Sequence, residues 1–200
     1  MVTIQEQNPL QTFCNWITRM AWVNFLVIFF SLLSLILFGL TASLATGVHA
    51  MKAYLSGKYR FTVSDFYQHF KLRLRVSSML GASILLTLFS MGWYAMHLVM
   101  QENKLLIAVG FSLLPLLVIL SLIYISLISL DIEHYNGNRM ALKKAIVVLV
   151  KSFYIPVGFV VSLFVFLGVY SIYPITGAIF FIAPTLLTTS VLYNFKYIEE

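Results

Sequence analysis

Hydrophobic positions in this chain run on instead of alternating with polar ones. Uncharged stretches cover Ala21–Leu40, Ser77–Met100, Leu105–Leu130, Phe153–Tyr173 and Thr176–Phe195. A helix needs about 20 apolar residues to cross a hydrocarbon layer of roughly 30 Å, so each stretch predicts a transmembrane span. A sixth piece, Thr41–Leu55, is shorter, rich in Ala, Thr and Ser, and carries Lys52. Its place predicts a short returning span after the first. The other reading is five crossings, with the N-terminus outside and residues 41–55 at the interface.

Ahead of the spans the period changes to that of amphipathic helices. In SDFYQHFKLRLR, residues 64–75, Ser64 is the candidate N-cap and Phe66, Phe70 and Leu74 recur every four residues. Lys71 and Arg75 flank that stripe, where long basic side chains reach headgroups. In NRMALKKAIVVLVKS, residues 138–152, Leu142, Ala145, Ile146 and Leu149 form a stripe while Lys144 and Lys151 share another face. Leu10, Phe13, Trp16, Ile17 and Met20 suggest a third such helix. The prediction is an all-α, polytopic transmembrane helix bundle forming one domain over residues 1–200. Surface helix, span and returning span repeat within it over roughly 8–57, 58–133 and 134–200.

Two returning spans share a finer pattern. PLLVILSLIY, residues 115–124, and PTLLTTSVLY, residues 184–193, each place Ser six positions after Pro and Tyr three positions further. Asp131 and Glu133 follow the first pattern, and Glu199 and Glu200 the second. The prolines are expected to bend their spans, because each removes a backbone donor. Ser121, Tyr124, Ser190 and Tyr193 are candidate intramembrane polar positions, with Asn24, His49 and His97. Serines that bond backbone and tyrosines that anchor at the interface are the structural reading. A polar path beside kinked helices is the transport reading. The five longer spans hold no Asp, Glu, Lys or Arg, which favours the former.

Composition fixes the solvent and charge fixes the orientation. Hydrophobic residues make up 60% of the chain and charged ones 10%, against about 45–50% apolar in soluble domains. The basic residues gather in 52–75 and 139–151, where the positive-inside rule predicts cytoplasm. Lys196 places the C-terminus inside, and the six-span layout places the N-terminus inside with it. Anionic headgroups on that face account for the basic residues, and nucleic acid is not needed. The apolar run before Ala42–Ala45 is too long for a signal-peptide core, so the first span is expected to be retained. Cys14 is the single cysteine and excludes an internal disulfide. No nucleophile elbow, metal-binding His pair or Gly-rich phosphate loop appears, so neither catalysis nor a cofactor is expected.

NPLQTFCNWITRMAWVNFLVIFFSLL and LTASLATGVHAMKAYLSGKYRFTVSDFYQHFKLRLRVSS together resemble the N-terminal half of the YesL-like family, DUF624. The shared features are Asn8–Pro9, Asn24, Ser34–Leu35 and the aromatic-basic run Phe66–Lys71. Where that family has a Pro and Thr–Ile–Gly at the first outer turn, this chain has Ile36 and Gly39–Leu40–Thr41. The resemblance implies a multipass protein of the bacterial cytoplasmic membrane. It also implies a non-catalytic accessory partner of an ABC-type carbohydrate uptake system, with a small-solute transporter or channel as the alternative.

Overall fold

The computed structural model describes residues 9–34, 36–57, 60–130, 138–180 and 182–198. Among them every regular element is helical: α1 (Pro9–Leu33), α2 (Leu37–Leu55), α3 (Val63–Val99), α4 (Lys104–Ser129), α5 (Asn138–Lys151), α6 (Tyr154–Ile172), α7 (Pro174–Phe180) and α8 (Ala183–Ile198). Leu10–Leu33, Ser78–Val99, Lys104–Ser129 and Tyr154–Ile172 have the length and hydropathy of membrane spans, and Ala183–Leu192 is a shorter apolar helix. The described residues are therefore those of an all-helical membrane protein.

The piece that reads weakest in sequence lies at the centre. α2 packs against α1, α3, α4 and α8, and residues 41–48 are all buried. A helix surrounded by protein needs small residues for close approach more than it needs an apolar surface for lipid. A Cβ on Gly47 would come within 2.7 Å of Leu186 and 2.9 Å of Val27, and one on Gly81 of α3 would overlap Thr41. The hydroxyls of α2 are bonded in place. Thr46 donates to the Ala42 carbonyl at 2.7 Å, Ser43 meets Ser31 at 2.5 Å, and Thr41 meets Tyr124 at 3.2 Å.

Two of the expected surface helices are not separate elements. Residues 10–20 continue into the first span within α1, and residues 64–75 continue into the second within the 37 residues of α3. At 1.5 Å per residue α3 is about 55 Å long, more than a bilayer core requires. Its cap is Thr62 rather than Ser64. The Thr62 hydroxyl accepts from the Asp65 N–H at 3.2 Å, and the Asp65 carboxylate accepts from the Thr62 N–H at 3.1 Å. Phe66 and Phe70 do not rest on the membrane surface. Both are buried, and each ring centroid lies 5.1 Å from that of Phe30 in α1. α5 is a separate helix ahead of α6, but its buried residues are Ala141 and Ala145, and Ile146 is exposed.

The last predicted span, Thr176–Phe195, is broken between α7 and α8. Pro184 accordingly occupies the first turn of α8, where a missing N–H costs no helical bond. Pro115 alone sits inside a helix. α6 and α8 run antiparallel, with Gly158 against Leu192 and Ser162 bonded by Thr188 at 3.0 Å. The far end of α6 (Phe166, Val169, Tyr170) then lines an apolar groove of about 360 Å³ with Phe13, Ile17 and Met20 of α1. Alternating crossings would put residues 10–20 inside and the Pro174–Ile175 turn outside, whereas here they share one end. That turn carries no charge for the positive-inside bias to act on, so packing alone places it.

Candidate functional site

Most of the intramembrane polar residues are absorbed by packing. Asn24 is buried on α1, and its side-chain oxygen accepts the Ile182 N–H at 3.5 Å, beside the break before α8. Ser121 donates back to the Leu117 carbonyl at 2.8 Å. Tyr124 does not anchor at an interface. It is buried, with its hydroxyl on Thr41. The Ser190 hydroxyl lies 2.7 Å from the Leu186 carbonyl and 3.1 Å from that of Val48, and so ties α8 to α2. His97 is exposed in the last turn of α3. The Tyr193 side chain lies outside the described residues, as do Asp131, Glu133, Glu199 and Glu200.

The polar chemistry collects where α2 ends and α3 begins. Arg73, only 4% exposed, donates to the Leu130 carbonyl at 3.0 Å, and Lys52 donates to the Ser129 carbonyl at 3.3 Å. Two cations thus meet the unsatisfied carbonyls at the end of α4, where the helix dipole is negative. The His49 and His69 rings lie with centroids 4.1 Å apart, tilted by 39°, and both face Phe61. Lys71, Arg75, Lys144 and Lys151, expected as surface contacts, are all exposed. Lys71 and Arg75 border a shallow depression with Gln68 and Leu72.

Beside this cluster a cleft of about 570 Å³ opens between α1, α2 and the segment leading into α3. Asn15, Thr18, Arg19 and Trp22 come from α1, Tyr54 from α2, and Arg60, Phe61, Thr62 and Val63 from the start of α3. The Arg19 guanidinium lies 5.0 Å from the Tyr54 ring and 5.4 Å from the Trp16 ring, within cation–π range of both. The Trp22 indole N–H donates to the Phe61 carbonyl at 3.1 Å and fixes one wall. Sequence patterning did not single out Arg19, Arg60, His69 or Arg73. For Arg73 a signal existed, because it falls seven residues after Phe66, on the same helical face. A cation inside an apolar stripe marks a buried charge.

Residues 20–93 match the model of the family described as "Protein of unknown function, DUF624". Over 75 residues, 37% of this chain, it is 37% identical to the uncharacterized protein YesL of Bacillus subtilis (strain 168) and 36% identical to the uncharacterized protein YteU of the same strain. Those matches cover 36% and 34% of the relatives, so the chain spans about a third of the length of each. No solved structure matches. The segment similar to DUF624 proteins thus takes in just over half of α1, all of α2 and most of α3. The matched segment holds the central helix, the cations on α4 and the greater part of the cleft.

Proposed function

We propose that this DUF624-related chain is a non-catalytic protein of the bacterial cytoplasmic membrane that binds an ABC-type carbohydrate uptake system and supports its assembly or operation. The uptake system comes from the family resemblance. The observation that favours binding over transport is the filled centre. α2 occupies it, residues 41–48 are buried, and the hydroxyls there are bonded to protein. Apolar surface is instead left outside. α4 buries only Gly110 and Tyr124–Ser129 along its 26 residues, and Leu86, Phe89, Trp93 and Met96 of α3 are exposed. Lipid or another membrane protein can cover such faces, and van der Waals packing between helices drives the latter.

In this reading α1–α2, α3–α4 and α6–α8 are three helical pairs of one repeated unit with the short α2 enclosed, and the turn after α6 stays at the end that holds residues 10–20. Residues 52–75, 139–151 and the C-terminus face the cytoplasm. Mild solubilisation of native membranes, purification of the chain and mass spectrometry of what accompanies it tests the proposal. Permease subunits of a carbohydrate transporter are the expected company. Saturable movement of a solute by the purified chain in liposomes would overturn the reading in favour of a transporter.

A further inference from the structure

We propose that the cleft between α1, α2 and the start of α3 binds a phosphate ester, held by Arg19 and Arg60. The two guanidinium groups come from different segments and line one cavity. Arginine's planar fork suits paired hydrogen bonds to phosphate oxygens. Arg19 is confined by the Tyr54 and Trp16 rings, so little side-chain freedom remains to be lost on binding. A volume of about 570 Å³ exceeds what a bare ion fills and leaves room for the alcohol part of an ester.

The position narrows the ligand further. Trp22 and Val63 at the cleft are 37% and 45% exposed, and Phe25 and Phe29 continue the exposed apolar face of α1 away from it. A phosphate carried on an apolar tail would fit both surfaces at once, as in an anionic lipid headgroup. A soluble phosphate ester would use the cleft alone. The chemistry of recognition is common to both. It is also local, which separates it from diffuse attraction between surface lysines and a membrane.

Two arms test the proposal and distinguish the sources. In the first, the full chain is placed in nanodiscs of equal phosphatidylcholine and phosphatidylglycerol, and lipids retained on release are read by native mass spectrometry. In the second, glycerol phosphate is titrated into the chain in pure phosphatidylcholine discs, and tryptophan fluorescence reports binding. Arg60→Gln, at an exposed position, should reduce binding about fivefold in the arm that carries the ligand, and Arg60→Lys should restore part of it. Lys71→Gln with Arg75→Gln should leave that arm unchanged. Loss in the first arm identifies a lipid, and loss in the second a soluble ester. Equal binding by the parent and Arg60→Gln in both arms overturns the proposal. So does a loss in the Lys71/Arg75 variant as large as that in Arg60→Gln.

Discussion

Replacing Arg73 by alanine should be among the most damaging single changes in this chain. Its side chain is 4% exposed and donates to the carbonyl of Leu130, the C-cap residue just past α4. A hydrogen bond from a charged donor contributes about 1.5–3 kcal/mol, and a cation in a partly buried position at a helix C-terminus adds up to about 2. Against this stands the cost of keeping a guanidinium out of water, which the mutation removes. The expected net loss is about 2–4 kcal/mol, read from equilibrium unfolding in mixed micelles. Arg73→Lys, keeping the charge without the fork, should lose roughly half as much. Lys52 donates to the neighbouring carbonyl of Ser129, so Lys52→Ala and Arg73→Ala should be non-additive by at least about 0.5 kcal/mol. An Arg73→Ala protein within about 0.5 kcal/mol of the parent would refute the assignment of Arg73 as the cap of α4.

Phe66→Ala should cost about 3–5 kcal/mol, because the ring is fully buried against Phe30; a change in membrane affinity with unaltered stability would return it to a surface role. Gly81→Ala should cost about 1–3 kcal/mol by collision with Thr41, whereas Gly92→Ala, with open space around it, should be neutral or gain up to about 1; equal melting temperatures for the two would dismiss the close α2–α3 approach. Pro184→Ala should change stability by less than about 0.5 kcal/mol, while Pro115→Ala restores a bond inside α4 at an exposed position and should gain about 1–3 in thermal unfolding. In a variant with Cys14 replaced by serine, Gly57→Cys and Ile175→Cys should react with a membrane-impermeant thiol reagent from the same side; labelling from opposite faces would show that α6 crosses fully and that its groove with α1 is misplaced.

The fold class was legible because about 20 uncharged residues in a row have few other uses, and four of the long stretches became long apolar helices. What misled was the change of period. Polar residues at 64–75 resemble a helix lying on the membrane, but nothing between Arg75 and Ser78 breaks it, so α3 continues. The stripe of Phe66 and Phe70 was visible and its partner was not, since periodicity says which residues share a face and not what covers it. The two Pro–Ser–Tyr stretches share that spacing yet differ in shape. Pro184 lies in the first turn of α8 and Pro115 inside the unbroken α4, and Asn24 of α1 bonds the Ile182 N–H at the break before α8, a long-range contact outside any local pattern. Arg60 falls in the basic segment that sets orientation and Arg19 stands alone in the first helix, so neither is marked as a site by local sequence.

The weakness of Thr41–Leu55 as a span and its central position have one cause. A helix facing lipid must present apolar side chains, whereas one enclosed by four others must present small ones, and Ala42, Ser43, Ala45, Thr46 and Gly47 meet the second requirement at the expense of the first. Such a helix is poorly suited to being inserted alone. It is well suited to being received into a groove between α1 and α3, whose Val23, Val27 and Gly81 lie against it or within reach of its side chains. The matched segment, residues 20–93, holds most of this three-helix arrangement and the greater part of the cleft beside it, while α4 and everything after it lie beyond the match. The part that matches the family model is therefore the enclosed core and its basic end. A role common to that family is to be sought there before it is sought along the exposed length of α4.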